Sequence, residues 1–216
     1  MRHSRPSLQY SDARMKSPAF PFALAAVVTV LIGVGVWMEP YFAGDVELTR
    51  AFQSAVPNAG WWATPISRLA PAPAKYYVMV IALVLSYVVA GWRGLVIAGG
   101  FLALEQYGAE STKAIFGRPR PSRELIAVTG NPSGFTFPST TITFFCVTFG
   151  AVAVLAALRR KAPGRWPILA IASMMVVLGC AARVALGAHW PSDVVLTSVI
   201  CLSWIWATGR LVLGRS

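Results

Sequence analysis

Residues 76–113 read YYVMVIALVLSYVVAGWRGLVIAGGFLALEQYGAESTK. The stretch from 76 to 92 carries no charge, and Gly91 and Arg93 close it. A second apolar run starts at Gly94 and continues towards Lys113, with polar positions at Glu105, Gln106 and Glu110. Two consecutive membrane spans are the expected reading. Upstream, residues 20–38 are nineteen residues without a charge, which as a helix reach about 28 Å, close to the hydrocarbon thickness. A secretory signal peptide is the rival reading there. The run is long for a signal core and no A-x-A cleavage site follows, which favours a retained anchor. Downstream, further spans are expected at 139–158, 167–183 and 194–212. The predicted fold is therefore all-α: a six-transmembrane-helix bundle forming one membrane-embedded domain over 20–213, after a cytoplasmic tail of residues 1–19.

Composition agrees. Of 216 residues, 56% are hydrophobic and 12% charged, where a soluble domain carries about twice that charge. The net charge of +11 could suggest nucleic acid. The basic residues instead sit beside long apolar runs, as topology signals do, so no nucleic-acid partner is expected. Cys146, Cys180 and Cys201 lie inside apolar runs without metal-ligand spacing and read as packing residues. Residues 39–75 are mixed; 46–56 suits a short amphipathic helix, and Trp61 and Trp62 suit the headgroup level, with simple packing as the alternative for the adjacent pair. Residues 117–138 form a loop rich in Pro, Gly and Arg. There is no internal repeat.

Charge sets the topology. With the N-terminus inside, the inner segments hold Arg2, Arg5, Arg14 and Lys16, then Arg93, Arg159, Arg160, Lys161 and Arg165, and last Arg210 and Arg215. That is eleven of the nineteen Lys and Arg, which supports N-in and C-in. Helix parity then puts three polar clusters on one extracytoplasmic face, at the ends of helices 3 to 6. A bacterial inner membrane is the expected location.

The first cluster is Lys113-x6-Arg120-Pro121, the second Pro138-Ser139-Thr140-Thr141, and the third Arg183-x5-His189-x3-Asp193. Charges at membrane helix ends are costly, so function is the default explanation. Snorkelling by Lys113 and Arg183, with Asp193 as a helix cap, is the structural rival. Lys113, Arg120 and Arg183 are three cations suited to phosphate oxygens. Ser139 opens a helix, whose free N–H groups favour an anion. Asp193 follows His189 by four residues, so both share a helix face if the sixth helix begins early enough. A carboxylate on one imidazole nitrogen frees the other to attack. These parts match phosphoryl transfer through a phosphohistidine.

In its first and third blocks the sequence resembles the type 2 phosphatidic acid phosphatase and vanadium haloperoxidase superfamily, in its membrane lipid phosphatase branch. That pattern is K-x6-R-P, P-S-G-H and S-R-x5-H-x3-D, with Ala182 here in place of the serine. The resemblance covers roughly 76–209. It implies that Lys113, Arg120 and Arg183 hold phosphate, with a hydrogen bond from Ser139 and with Thr140 in the same phosphate-binding set. It makes His189 the nucleophile and Asp193 its orienting group. No metal or other cofactor is implied, since the cations do a metal's electrostatic work. The second block departs from the pattern. Thr140 replaces the glycine, and Thr141 replaces the histidine that protonates the leaving group. Thr141 can offer a hydrogen bond but no acid near neutral pH, His3 lies in the opposite tail, and Glu110 is a possible substitute acid.

A lipid phosphatase is the expected enzyme. The lost histidine favours a lipid diphosphate such as a polyprenyl (undecaprenyl-type) diphosphate, because a departing phosphate is already a stable anion near pH 7, with a second pKa of roughly 6. The alternatives are a lipid-diphosphate-dependent phosphotransferase and a non-catalytic binder or carrier of phospholipid headgroups. The chain length of the lipid and the oligomeric state are not legible.

Overall fold

This computed structural model describes residues 19–214, with backbone alone at 109 and 110. The tail cations Arg2, Arg5, Arg14 and Lys16, together with His3, Arg215 and the side chain of Glu110, lie outside the described residues. Helix α1 spans Ala19–Met38. Two short helices follow, α2 (Asp45–Ala55) and α3 (Gly60–Ser67). Then come α4 (Ala74–Phe116), α5 (Thr140–Leu158), α6 (Arg165–Ala185) and α7 (Pro191–Leu213). Among the described residues there is no strand, and five helices (α1, α4, α5, α6, α7) are long and apolar enough to cross a membrane. Val30, Leu31, Val80, Ile81, Ile171 and Val177 point outward. Such a surface suits lipid, since water would not tolerate so large an apolar patch.

Helix α4 decides the architecture. Its 43 residues would reach about 65 Å if straight, roughly twice the hydrocarbon core. It breaks at Gly91, where φ +64° and ψ −156° lie outside the helical region, a conformation glycine adopts without penalty. The chain then doubles back. Lys75 Nζ lies 3.1 Å from Glu105 Oε2, although a straight helix would separate those residues by about 45 Å. At Gly94 the arms meet so closely that a Cβ would sit 2.3 Å from the Ser86 carbonyl oxygen. Arms 74–90 and 92–116 therefore form an antiparallel hairpin, with the break where the sequence placed it.

Helix α5 is central, packed by α4, α6 and α7. Of its apolar window 67% is buried, against 17% for α1, which leans on α7 alone of the long helices apart from a slight touch on α4. The middle of α5, Cys146–Gly150, is a π-helical turn, with the Thr148 hydroxyl donating to the Phe144 carbonyl at 2.7 Å. Cys146 is buried and Cys180 and Cys201 half-buried in the same cluster with Ile142 and Val194, each a free thiol.

Two details differ from the sequence reading. Helix α3 falls in a stretch read only as mixed; it forms because Ala59, Ala63 and Ile66 pack on Ala182, Ala185 and Leu186 of the α6 end. Trp61 and Trp62 also divide. Trp61 is exposed, while Trp62 packs into that same cluster, so of the two roles open to the pair Trp62 takes the packing one.

The end of the α4 hairpin, the start of α5, the end of α6 and the start of α7 gather at one pole, under α2 and α3. Gly91, the 159–164 loop and Leu213 lie at the other pole, where Val89, Ala90, Leu155, Ala156 and Leu213 pack together. Gly94→Ala is expected to cost about 1–3 kcal/mol through overpacking, read as a lowered Tm of the detergent-solubilised protein. An unchanged Tm would contradict the close approach of the arms.

Candidate active site

Lys113 ends the hairpin's second arm, buried, with Nζ 3.4 Å from Thr140 Oγ1. Ser139 is the N-cap of α5 and accepts from the Ile142 N–H. Arg183 lies in the last turn of α6, where its Nη1 donates to Ser67 Oγ at 2.7 Å. The chain then turns at Gly187, with φ +64° and the space for a Cβ filled by the Ala127 carbonyl oxygen at 2.1 Å. No side chain fits that spot, and the turn delivers His189 to the site. Asp193 is the third residue of α7 and accepts the Trp190 N–H at 2.9 Å, capping the helix. The structure thus brings together the seven residues expected to bind phosphate or act on it, Thr140 among them.

His189 is fully enclosed. Its Nε2 faces Ser139 Oγ at 3.2 Å and Arg120 Nη1 at 3.4 Å. A guanidinium only donates, so Nε2 is the acceptor and the proton is assigned to Nδ1. On that side stands Thr136. Its Oγ1 lies 3.0 Å from Nδ1 and donates to Asp193 Oδ2 at 2.7 Å. The Nδ1–H therefore donates to Thr136, which hands the polarity on to the carboxylate. The expected direct contact of Asp193 with the imidazole is corrected here: Nδ1 and Oδ2 are 3.8 Å apart, too far for a hydrogen bond. The helix does not begin early enough for the two groups to share its face: α7 starts at Pro191, and the Thr136 hydroxyl fills the gap.

Asp193 is also bonded by Arg118 Nη1. Arg118 is buried like the two carboxylates it meets; its Nε donates to the Pro40 carbonyl at 3.1 Å, Nη1 to Ser192 Oγ at 3.1 Å, and Nη2 reaches Asp45 Oδ2 at 3.3 Å. Asp45 in turn accepts from the Ser192 N–H and hydroxyl. Arg120 is tied down differently, by the Ser133 and Ala188 carbonyls at 2.9 and 2.7 Å.

Burial holds the His189 pKa well below the ordinary imidazole value, and the positive charges of Arg183, Arg120 and Lys113 push the same way. The ring is neutral at neutral pH, with a lone pair on Nε2 amid three cations. Such a site can bind a phosphate and attack it. Thr141 is half-buried and lines a cavity of about 560 Å³ with Thr140 and Arg183. Among the described residues no three His, Cys, Asp or Glu gather to hold a metal ion.

Sequence reasoning missed Thr136, Arg118, Asp45 and Ser67. Arg118 sits inside the six-residue gap of the first block, and Thr136 lies three residues before Ser139. A second arginine two positions from Arg120 was the available signal; Thr136 gave none.

The fold and its polar pole define an integral membrane α-helical bundle with a cluster of cations around a buried histidine at one end. Residues 94–215 match the PAP2 superfamily, and the chain belongs to it. Among solved structures it is similar to the crystal structure of the first transmembrane PAP2 type phosphatidylglycerolphosphate phosphatase from Bacillus subtilis. The identity is 21%, the match covers 91% of this chain and 94% of that one, and the TM-score is 0.57. That likeness is one of fold. No curated protein matches the chain.

Thr136→Val should destabilise the protein by about 1–3 kcal/mol, because the Nδ1–H and the carboxylate both lose a buried partner. Thr136→Ser should restore most of it. Equal Tm values for wild type and the valine variant would show that the hydroxyl bridges nothing.

Proposed function

We propose that this PAP2 protein is a membrane lipid phosphatase that cleaves a lipid diphosphate through a phosphohistidine on His189. The observation that supports it most is the imidazole itself: neutral, polarised at Nδ1 by Thr136 and Asp193, and presenting Nε2 among Lys113, Arg120 and Arg183. A pure headgroup binder has no use for so oriented a base. In the proposed reaction Nε2 forms a bond to the terminal phosphorus while the bridging P–O bond breaks, its electron pair leaving with the lipid phosphate. The three cations and Ser139 neutralise the charge of the transferred group. Water then attacks the phosphohistidine, releasing inorganic phosphate and the imidazole.

The diphosphate preference follows from Thr141. An alkoxide departs readily only with a proton donor, and general acids contribute about 10² to 10⁴ in rate. A phosphate departs as a stable anion. Phosphate release by the purified protein from matched prenyl mono- and diphosphates tests the reading. The diphosphate should be favoured in kcat/KM, Thr141→His should raise monophosphate turnover more than diphosphate turnover, and His189→Ala should lose both turnover and labelled phosphoprotein. Equal wild-type rates would defeat the preference. No rate on either substrate would promote the headgroup-binding reading, and phosphate passed to an acceptor other than water would promote the transferase. Full activity of the alanine variant would sink the mechanism.

We further propose six crossings, counting the α4 hairpin as two, with both termini inside and the site extracytoplasmic, in a bacterial inner membrane. The support is the basic character of the other pole, with Arg93, Arg159, Arg160, Lys161 and Arg165. Single cysteines at Gly130 and Gly164, both exposed and at opposite poles, report this in a background lacking the three native thiols. A membrane-impermeant maleimide added to intact cells should label position 130 and spare 164; the reverse pattern would invert the topology.

A further inference from the structure

The cavity beside the phosphate-binding cations extends beyond them. One wall carries Arg183, Thr140 and Thr141; another carries Arg68, Lys75 and Glu105. His189 does not line it. Of the three phosphate-binding cations Arg183 lines it, together with Thr140, whose hydroxyl lies 3.4 Å from Lys113 Nζ, so the cavity adjoins the phosphate-binding group without opening onto the nucleophile.

The charges in that second wall are unequally engaged. Lys75 pairs with Glu105 at 3.1 Å, donates to Gln106 Oε1 at 2.9 Å, and stands over the Phe144 ring. Its charge is compensated within the hairpin. Arg68, at the end of α3, is exposed at the cavity edge, and among the described residues its guanidinium has no hydrogen bond or ion pair. Neighbouring Ser67 is held by Arg183 at 2.7 Å. Helix α3 is thus tied to a phosphate-binding arginine through one residue while the next presents an uncommitted fork to the same space.

Resting on the diphosphate reading above, we propose that this cavity is the leaving-group subsite, and that Arg68 binds the departing phosphate that stays on the lipid. When Nε2 bonds to the terminal phosphorus, the bridging P–O bond breaks and negative charge grows on the lipid phosphate. No proton is required. A guanidinium in that cavity stabilises the growing charge by paired hydrogen bonds, the work that a proton donor does for a departing alkoxide. The site thereby pairs a threonine at position 141 with a cation farther out, and its selectivity belongs to Arg68 as well as to the absent acid.

The test uses purified full-length protein with a prenyl diphosphate and the matching monophosphate. Arg68→Gln should lower kcat/KM on the diphosphate by about 10- to 100-fold, the worth of a charged hydrogen bond. On the monophosphate it should stay within about threefold, as for an exposed charge without a partner. Arg68→Lys should recover part of the loss. Inhibition by the prenyl monophosphate product should weaken in the glutamine variant, with Tm unchanged. Equal losses on both substrates would overturn the proposal and make Arg68 a general headgroup or structural contact; no loss on either would overturn it too. A wild-type enzyme without diphosphate preference would instead remove the reading on which the proposal rests. A preference that survives Arg68→Gln intact would sink the subsite alone.

Discussion

The buried carboxylate of Asp193 is the constraint around which the rest of this pole is arranged. An ionised group taken out of water costs several kcal/mol unless its lone pairs are filled. Here they are filled by the Trp190 N–H, the Thr136 hydroxyl and the Arg118 guanidinium. Arg118 brings its own obligation, a buried cation with five donors, and Asp45, Ser192 and the Pro40 carbonyl meet it. Each debt passed along this chain recruits another piece of polypeptide: the loop after α4, the start of α7, the turn after α1 and the first residue of α2. This pole is consequently cross-braced from four places, and Trp190 adds a ring contact to Tyr41 at 5.2 Å.

The long helices were legible because nothing except a membrane explains uncharged runs of such length, and the hairpin because Gly91 and Arg93 interrupt one of them. Lys113, Arg120, Arg183 and His189 were legible as chemistry-bearing residues at membrane helix ends, where charge needs a reason. Thr136 was not, since a threonine in a Pro- and Gly-rich loop looks like any other and its part depends on a 3.0 Å approach to a residue 53 positions away. Arg68 and Lys75 fall in the stretch read only as mixed, for the same reason. Whether a charge is paired is settled by tertiary contact, and here it separates two basic residues only seven positions apart in sequence. Helix α3 escaped detection because its eight residues carry little periodic signal and its stability comes from packing on α6.

The break at Gly91 has consequences at the far end of the bundle. Because the two arms run antiparallel, Lys75 returns to the level of Glu105 and its charge is cancelled there. Without that pairing the cavity wall would present two free cations, Lys75 and Arg68. With it, Arg68 is left there as the one without a hydrogen bond or ion pair among the described residues. Fold topology thus sets where charge is available, a quantity that no count of Lys and Arg supplies.

In the proposed reaction the cations have a second effect. Lys113, Arg120 and Arg183 attract a phosphate, and the same charges, added to burial, hold His189 in its neutral form. A site that merely concentrated positive charge would thus keep its nucleophile ready without a separate base. Once Nε2 is bonded to phosphorus the ring is cationic, and those neighbours turn unfavourable. The compensating negative charge is Asp193, delivered to Nδ1 across the Thr136 hydroxyl rather than by direct contact. A bridging hydroxyl transmits less than a touching carboxylate, yet it also keeps the anion 3.8 Å away, where Arg118 can share it. The arrangement leaves the ring neutral before attack and stabilised after it, because the opposing charges sit at different distances from the two nitrogens.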